Sequence, residues 1–311
     1  MKIGLGKATG KIILIGEHAV VYGQPAIAIP FLATKVLVDV KKNGDETFDY
    51  VESLYYDGPL HLAPSSLENI AAVVAGAKKE LGITAGLWLT IESSIPPERG
   101  MGSSAAVVNA VIRAIFSWAD VSIDAKKLTE IANFGEHIAH GNPSGIDQAT
   151  TADTRPIYFV KGQYFQPFSL HVDGFLIVAD SNLKGRTKEA VSDVATLLKN
   201  EPEKKILLEQ LGQATEEMKI ALINNQLESI GQLMNQAQKI LQQLTVSNDT
   251  LDAMIALGLN AGALGGKLTG GGRGGCVIFV SPTIKEALKI QAALQNSGYK
   301  TWIQDLRELN K

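Results

Sequence analysis

Two glycines and two serines stand directly before a long apolar helical pattern, and their spacing suits an anion-binding turn. Gly100 and Gly102 permit positive φ and a close approach of the backbone to a ligand, because neither has a Cβ atom. Ser103 or Ser104 can cap the following helix, whose N-terminus carries free N–H groups and about half a positive charge. A phosphate fits such a helix start, although a plain turn with a serine cap would use the same residues. The segment comprises Pro97, Glu98, Arg99, Gly100, Met101, Gly102, Ser103, Ser104, Ala105 and Ala106.

A second cluster of reactive side chains surrounds a short apolar run near the start of the chain. The run from Ile12 to Ile15 predicts a buried strand bounded by glycines, with Lys11 before it and Glu17 and His18 after it. An amine, a carboxylate and an imidazole are costly to bury unless each finds a partner. Any one of them could be a solvated surface residue, but the three together indicate a site.

A third motif places five glycines in the six positions 270–275, after Lys267, Leu268 and Thr269. The many accessible amides of such a loop can wrap an anion. A dinucleotide-binding fingerprint requires a helix after its glycines, whereas an apolar strand, Cys276–Val280, follows here. A Walker A loop is excluded because no Ser or Thr follows Lys267 directly.

The elements that must position these residues alternate between strands and helices, without internal repeats. Hydrophobic periodicity and turn residues predict strands at Ile12–Ile15, Ala26–Pro30, Thr34–Val40, Leu87–Ile91, Phe175–Ala179, Cys276–Val280 and Lys300–Ile303. The same signals predict helices at Leu67–Leu81, Ser104–Trp118, Ala125–His140, Thr187–Leu198, Ile206–Asn224, Leu227–Leu244, Asn248–Leu257 and Ile284–Asn296. The polar stretch 162–173 between two such groups is the expected domain boundary.

Composition agrees with a soluble intracellular enzyme. The 311 residues, 45% of them hydrophobic, suffice for one large or two ordinary domains. A net charge of −3 with scattered basic residues argues against nucleic-acid and membrane partners. A single cysteine fits a reducing compartment. Residues 1–7 lack the apolar core of a secretory signal, so we expect a soluble cytoplasmic protein.

The three motifs, in this order, resemble those of the GHMP kinase superfamily. Within it, Gly16-Glu17-His18-Ala19-Val20-Val21-Tyr22-Gly23 resembles the mevalonate kinase family, and residues 135–147 resemble the family's segment with a metal-binding Glu and a catalytic Asp. The matches extend from Lys11 to Cys276. The resemblance implies an α+β fold of two domains. Residues 1–171 would form a ribosomal protein S5 domain 2-like, ATP-binding domain, and residues 172–311 a ferredoxin-like α/β-sandwich domain.

The resemblance also implies roles for individual residues. The segment 97–106 would bind ATP, Ser104 and Glu136 would hold Mg²⁺, and Asp147 would be the general base, with Lys11 lowering the pKa of the substrate hydroxyl. Glu17, His18, Thr187 and Gly271 would contact mevalonate, His18 as a hydrogen-bond donor. The implied reaction converts mevalonate and ATP to 5-phosphomevalonate and ADP in isoprenoid biosynthesis. Members of this family often form homodimers.

Two questions stay open from the sequence. Arg273 departs from the family's commoner all-glycine loop, and it would contact a phosphate or substrate carboxylate or point to solvent. The alternatives to a mevalonate-specific enzyme are another GHMP kinase, such as a phosphomevalonate kinase, and a non-catalytic sensor that binds ATP and substrate. A sensor would be expected to lack a charged site residue, yet Lys11, Glu136 and Asp147 are all present.

Overall fold

The computed structural model describes residues 2–140, 150–152, 155–163 and 165–310. The chain divides into two compact units, each built from several stretches of sequence. The first unit contains residues 1–10, 34–96 and 102–153, and the second contains residues 11–33, 97–101 and 154–311. This division differs from the boundary at 171/172 expected from the sequence, because residues 11–33, 97–101 and 154–171 belong to the second unit. The family domains of that expectation stay a prediction.

Within its described residues, the first unit contains long helices that pack with short, partly parallel strands. Two long strands, β1 (Gly4–Ile15) and β2 (Pro25–Lys42), contribute residues to both units, and β3 (Tyr50–Ser53), β4 (Asp57–Pro59) and β5 (Leu87–Ser93) lie in the first. β5 pairs antiparallel with the second half of β2 and parallel with β3. Alternate residues are buried in the second half of β2 and along most of β5, which is the period-two pattern of a sheet with one covered face. The helices are α1 (Glu68–Leu81), α2 (Ser103–Trp118) and α3 (Ala125–His140).

β2 continues through a proline that the sequence predicted would separate two strands. Pro30 has no N–H to donate to a neighbouring strand. The side chain of Gln304, which is 3% exposed, takes over the pairing at this point. Its Oε1 accepts from Leu32 N–H at 2.6 Å, and its Nε2 donates to Pro30 O at 3.1 Å. A residue far away in the sequence thus satisfies the backbone where local signals predicted a break.

The second unit contains a four-stranded antiparallel sheet. The first half of β2 pairs with β6 (Ile157–Val160), which pairs with β7 (Gln166–Pro167). The four-stranded sheet contains β8 (Phe175–Asp180), β9 (Gly265–Thr269), β10 (Cys276–Ser281) and β11 (Lys300–Asp305) in the order β11-β8-β10-β9. This order places the fourth strand beside the first and the third beside the second, which is the ferredoxin-like arrangement. The helices are α4 (Thr187–Asn200), α5 (Lys205–Ile223), α6 (Leu227–Gln243), α7 (Asp249–Asn260) and α8 (Ile284–Asn296).

β9 was not predicted from the sequence, and its glycines explain why. Gly265 and Gly266 depress strand propensity, but the packing of β9 requires a small residue. A Cβ atom at Gly265 would lie 2.1 Å from the carbonyl oxygen of Gly231 on α6. The close approach of strand and helix therefore fixes β9, and it is invisible to local sequence patterns.

The helices and main strands expected from periodicity are confirmed, and the chain has the expected α+β composition of helices and sheets. The other strands that the sequence did not predict are short, namely β3, β4, β6 and β7. Across the described ranges, no helix is both long enough and apolar enough to cross a membrane.

Candidate active site

The turn after β1 holds Glu17 and His18 in a strained conformation. His18 has φ 61° and ψ −50°, and the carbonyl oxygen of Glu17 accepts from Ala19 N–H at 2.7 Å. These features define a γ-turn whose central residue has positive φ, a rare and strained arrangement. Such strain persists only where the surroundings over-determine it, and it concentrates at functional sites. The turn therefore fixes two adjacent reactive side chains at the end of a buried strand.

Glu17 forms a buried ion pair with Lys267, the third residue of β9. Lys267 Nζ donates to Glu17 Oε1 and to Leu268 O, the latter at 2.6 Å. The two side chains are 4% and 0% exposed. Burial lowers the pKa of Lys267, and the Glu17 carboxylate opposes this effect. Glu17 Oε2 is buried and has no hydrogen-bond partner within the described residues.

His18 reaches the glycine loop 270–275. Its Nε2 lies 3.0 Å from Gly271 O, and because a carbonyl only accepts, the ring must donate from Nε2. Burial lowers the pKa of His18, while Glu17 opposes the shift, so the neutral ring presents Nδ1 as an acceptor. That atom is buried and unpartnered in the part of the chain the structure describes. His18 Nε2, the donor that was expected to bind substrate, thus forms a hydrogen bond within the protein.

Gly271 also contacts Thr187, the first residue of α4. A Cβ atom built on Gly271 would lie 2.2 Å from Thr187 Oγ1 and 2.7 Å from Thr187 Cα, so only glycine fits here. Glu17, His18, Gly271 and Thr187 are therefore linked by one turn, one hydrogen bond and one close contact. All four residues assigned to substrate binding from the sequence lie together in the second unit.

Lys11 lies beside the first half of the glycine-serine segment. Its backbone N–H donates to Met101 O at 3.0 Å, and its residue is 4% exposed. Thr269 Oγ1, at the end of β9, donates to Ile13 O at 2.9 Å. Within the second unit, Met101 of the segment 97–101 thus contacts the part of β1 that begins at Lys11. The rest of the glycine-serine segment, Gly102, Ser103, Ser104, Ala105 and Ala106, belongs to the first unit.

The start of α2 leaves its amides without a side-chain cap. The helix begins at Ser103 after Gly102, which has φ 72° and, having no side chain, cannot cap. The expectation that Ser103 or Ser104 caps this helix is wrong, because both serines lie inside its first turn. Helix N-termini have N–H groups without intrahelical partners and a partial positive charge. The first turn also contains no acidic residue, so the end suits an anion.

Ser104 is the one residue of the expected metal site whose side chain is described. Its Oγ accepts from Asn69 Nδ2 at 2.9 Å, and the residue is exposed. Asn69 is itself oriented by Ile70 N–H, which donates to its Oδ1 at 2.9 Å. A hydroxyl oxygen held in this way retains a lone pair, and such hard oxygens fit Mg²⁺. The Glu136 side chain and all of Asp147 lie outside the described residues.

Lys267 and Asn69 are site residues whose roles the sequence did not reveal. Lys267 was noted as part of the glycine motif, but its partner Glu17 is 250 positions away, so no spacing rule connects them. Arg273 does not simply point to solvent, and its expected contact with a phosphate or substrate carboxylate stays a prediction. Its guanidinium pairs with Asp193 on α4, and its backbone N–H donates to Val246 O at 2.8 Å.

Known proteins are similar to this chain along most of its length. The sequence pattern of the GHMP kinase N-terminal domain matches residues 68–154, and that of the C-terminal domain matches residues 218–300. A mevalonate kinase from Pyrococcus furiosus is 32% identical, over 98% of this chain and 96% of its own length.

Solved structures agree. A mevalonate kinase structure from methicillin-resistant Staphylococcus aureus is 32% identical, with a TM-score of 0.76 over 98% of this chain and 99% of that one. The Leishmania major (L. major) mevalonate kinase in complex with R-mevalonate has a TM-score of 0.85 over 96% of this chain and 95% of that one. At 24% identity this second likeness concerns the fold alone. The chain belongs to the mevalonate kinase family of the GHMP kinases.

Proposed function

We propose that this protein transfers the γ-phosphoryl group of ATP to the 5-hydroxyl of mevalonate, in a Mg²⁺-dependent reaction that yields 5-phosphomevalonate and ADP. The proposal rests above all on the unpartnered Glu17 Oε2 and His18 Nδ1, which are buried beside Gly271. Buried polar atoms are costly unless they are hydrogen-bonded. A ligand with hydroxyl donors would satisfy both acceptors, and mevalonate carries two hydroxyl groups.

The phosphate end of the reaction is assigned to the segment 97–106. Phosphoryl transfer is catalysed mainly by positioning and by stabilising charge. The uncapped first turn of α2 supports phosphate binding there. Ser104 and Glu136 would hold Mg²⁺, which offsets the charge of the phosphate oxygens. The ion pair between Lys267 and Glu17, which are 250 positions apart in the sequence, orders the proposed mevalonate site.

Asp147 is proposed as the group that accepts the proton of the substrate hydroxyl. Lys11 is proposed to lower the pKa of that hydroxyl. Asp147→Asn keeps the size and removes the charge, so we expect kcat to fall by about 10²–10⁴-fold, the usual contribution of a general base. The matched control is Asp120→Asn, at a side chain that is 80% exposed, which should retain the wild-type rate. A variant Asp147→Asn that keeps more than about a tenth of kcat would exclude this role.

The experiment that tests the function is an ADP-release assay with four acceptors. We expect turnover of mevalonate at least about a hundredfold above that of homoserine or galactose, because a site built for hydrogen bonding rejects ligands that lack the matching groups. Faster turnover of phosphomevalonate would favour the related kinase instead. Binding of ATP and mevalonate without turnover would favour a sensor.

Two further properties stay proposals. Homodimer formation follows from the resemblance and is measured by light scattering coupled to gel filtration. A cytoplasmic location follows from the composition, and fractionation of the source cells would check it.

A further inference from the structure

Residues 180–186 run from the last residue of β8 to the start of α4 and are called the connector here. The connector contacts the segment 97–106 through an ion pair that is nearly buried. Asp180, the last residue of β8, is 5% exposed. Its Oδ1 accepts from Arg99 Nε at 2.8 Å and from Asn182 N–H at 2.9 Å. Arg99 also donates from Nη2 to Asn182 O at 3.4 Å. The connector therefore holds the guanidinium of Arg99 from two sides.

A second pair of contacts joins the same two segments next to Arg99. Gly185 N–H donates to Glu98 O at 2.9 Å. Lys184 Nζ lies 2.5 Å from Glu98 Oε2, with side chains that are 73% and 58% exposed. Glu98 has φ 57°, a left-handed conformation that is strained for a residue with a Cβ atom. The backbone hydrogen bond from Gly185 supports Glu98 in this conformation, whereas the exposed ion pair contributes little.

The connector also holds the end of the glycine loop. Gly275 O accepts from Ser181 N–H at 2.9 Å and from Ser181 Oγ at 2.6 Å. Gly275 N–H donates to Leu183 O at 2.8 Å. One short segment thus fixes the backbones of both glycine-containing loops of the second unit.

We propose that Asp180 is a positioning residue for the reaction, which holds Arg99 and thereby fixes residues 97–101 in the conformation that binds nucleotide. This inference rests on the proposed function, because it takes the segment 97–106 as the ATP site. Without the Asp180 carboxylate, Arg99 loses its charged partner, and the left-handed backbone at Glu98 loses part of its support. The ordering of the segment is then achieved only on nucleotide binding, which weakens affinity. Mevalonate is assigned to a different set of residues, namely Glu17, His18, Thr187 and Gly271.

The test compares Asp180→Asn with a control at the exposed pair. Asp180→Asn keeps an oxygen for Asn182 N–H and removes the charge that faces Arg99. We expect calorimetric titration with Mg²⁺ and ADP to show binding weakened about tenfold or more, the scale of a lost hydrogen bond between charged groups. KM for ATP rises in parallel, and KM for mevalonate changes less than about twofold. Lys184→Gln, which removes the exposed ion pair between the same segments, leaves both values near wild type.

A double-mutant cycle separates positioning from general loss of structure. If Asp180 acts through Arg99, then Asp180→Asn adds little to the effect of Arg99→Gln, since both remove the same interaction. Full additivity, or an equal rise of both KM values, would overturn the inference. If Asp180→Asn does not fold, Arg99→Lys tests the same pair, because it retains the charge but loses the planar geometry. Unchanged ADP binding in that variant would also overturn it.

The wild-type titration separates this inference from the function on which it rests. Failure of the wild-type protein to bind ADP would refute the proposed nucleotide site, and the inference with it. Wild-type binding together with unaltered binding in Asp180→Asn would refute the inference alone.

Discussion

At the scale of single residues, the Glu17–Lys267 pair dominates the energetics of the candidate substrate site. Both side chains are removed from water, and each depends on the other to offset its desolvation cost. The pair also determines what is left for a ligand, because Oε1 of Glu17 is used by Lys267 and Oε2 is not. The pair therefore leaves Glu17 Oε2 as the carboxylate oxygen that the proposed substrate would meet.

Removing one partner of this pair should destabilise the protein strongly. We expect Glu17→Gln to lower the free energy of unfolding by about 3–5 kcal/mol, because it leaves Lys267 buried without a counter-charge. Adding Lys267→Met should restore part of the loss. Urea denaturation followed by circular dichroism measures both. Glu189→Gln is the control, since its pair with Arg186 is well exposed, and it should change the value by less than about 1 kcal/mol.

The lowered pKa of His18 has a consequence for stability that depends on pH. Its burial keeps the ring neutral when folded, whereas the unfolded ring takes up a proton near its ordinary pKa of 6.5. The stability associated with the neutral ring is therefore complete above 6.5 and is lost as the pH falls from there toward the lowered pKa.

Unfolding free energies at pH 7.5 and 5.5 check this consequence. The wild type should lose more stability between these values than His18→Gln, with a contribution of at most about 1.4 kcal/mol per pH unit from this proton. Gln can still donate to Gly271 O and does not titrate. Equal losses in the two proteins would show that His18 is not responsible.

At the scale of elements, the glycine loop 270–275 is held rigidly by its neighbours. Gly271 contacts the start of α4, and Arg273 is tied to Asp193 on α4 and to Val246. These contacts order the backbone of the loop beside the candidate substrate site, and Arg273 contributes two of them.

Gly271→Ala tests whether the contact between this loop and α4 shapes the substrate site. The added methyl would overlap Thr187, including its backbone, so the loop or the start of α4 must shift at a cost of about 1–3 kcal/mol. We expect KM for mevalonate to rise about tenfold or more, since a displacement of about 1 Å can cost as much as 10²-fold in rate.

Gly76→Ala provides the matched control for that substitution. Its Cβ would meet Ile131 Cγ2 at 3.5 Å, an ordinary contact within the first unit, and alanine favours a helix interior. This variant should keep the wild-type KM. A wild-type KM in Gly271→Ala as well would mean that the loop does not define the site.

At the scale of the whole molecule, each compact unit carries a separate share of the candidate residues. The first unit contains the start of α2 with Ser104, and the second contains Glu17, His18, Thr187 and Gly271. The four linked residues all belong to one unit, so we expect mevalonate to bind without nucleotide. Ligand binding to the folded chain should therefore stabilise it in the absence of ATP.

Thermal unfolding with mevalonate alone measures this linkage. At a concentration of 100 times Kd, a ligand that binds only the folded state adds about 2.7 kcal/mol to its stability, and Tm should rise accordingly. Galactose at the same concentration should leave Tm unchanged, and Gly271→Ala should need more mevalonate for the same rise. No shift for the wild type without nucleotide would contradict a substrate site ordered in advance.

Local signals in the sequence were sufficient for the helices and for the identity of most candidate residues. Helix α6 follows from its 3.6-residue periodicity, and β8 from five consecutive apolar residues, because both patterns depend only on neighbours along the chain. Glu17, His18 and Gly271 could be named because they stand in short motifs. The two-domain family fold followed from four such motifs in order.

Tertiary structure alone decided which of these residues meet. Three contacts join segments that are distant in the sequence: Lys267 with Glu17, Gln304 with Pro30, and Asp180 with Arg99. Nothing in local spacing encodes such pairs, since they depend on how sheets and helices pack. β9 packs against α6 because Gly231 and Gly265 allow the strand and the helix to approach closely. Burial then set the protonation state of His18, because desolvation is a property of the folded molecule and not of the residue.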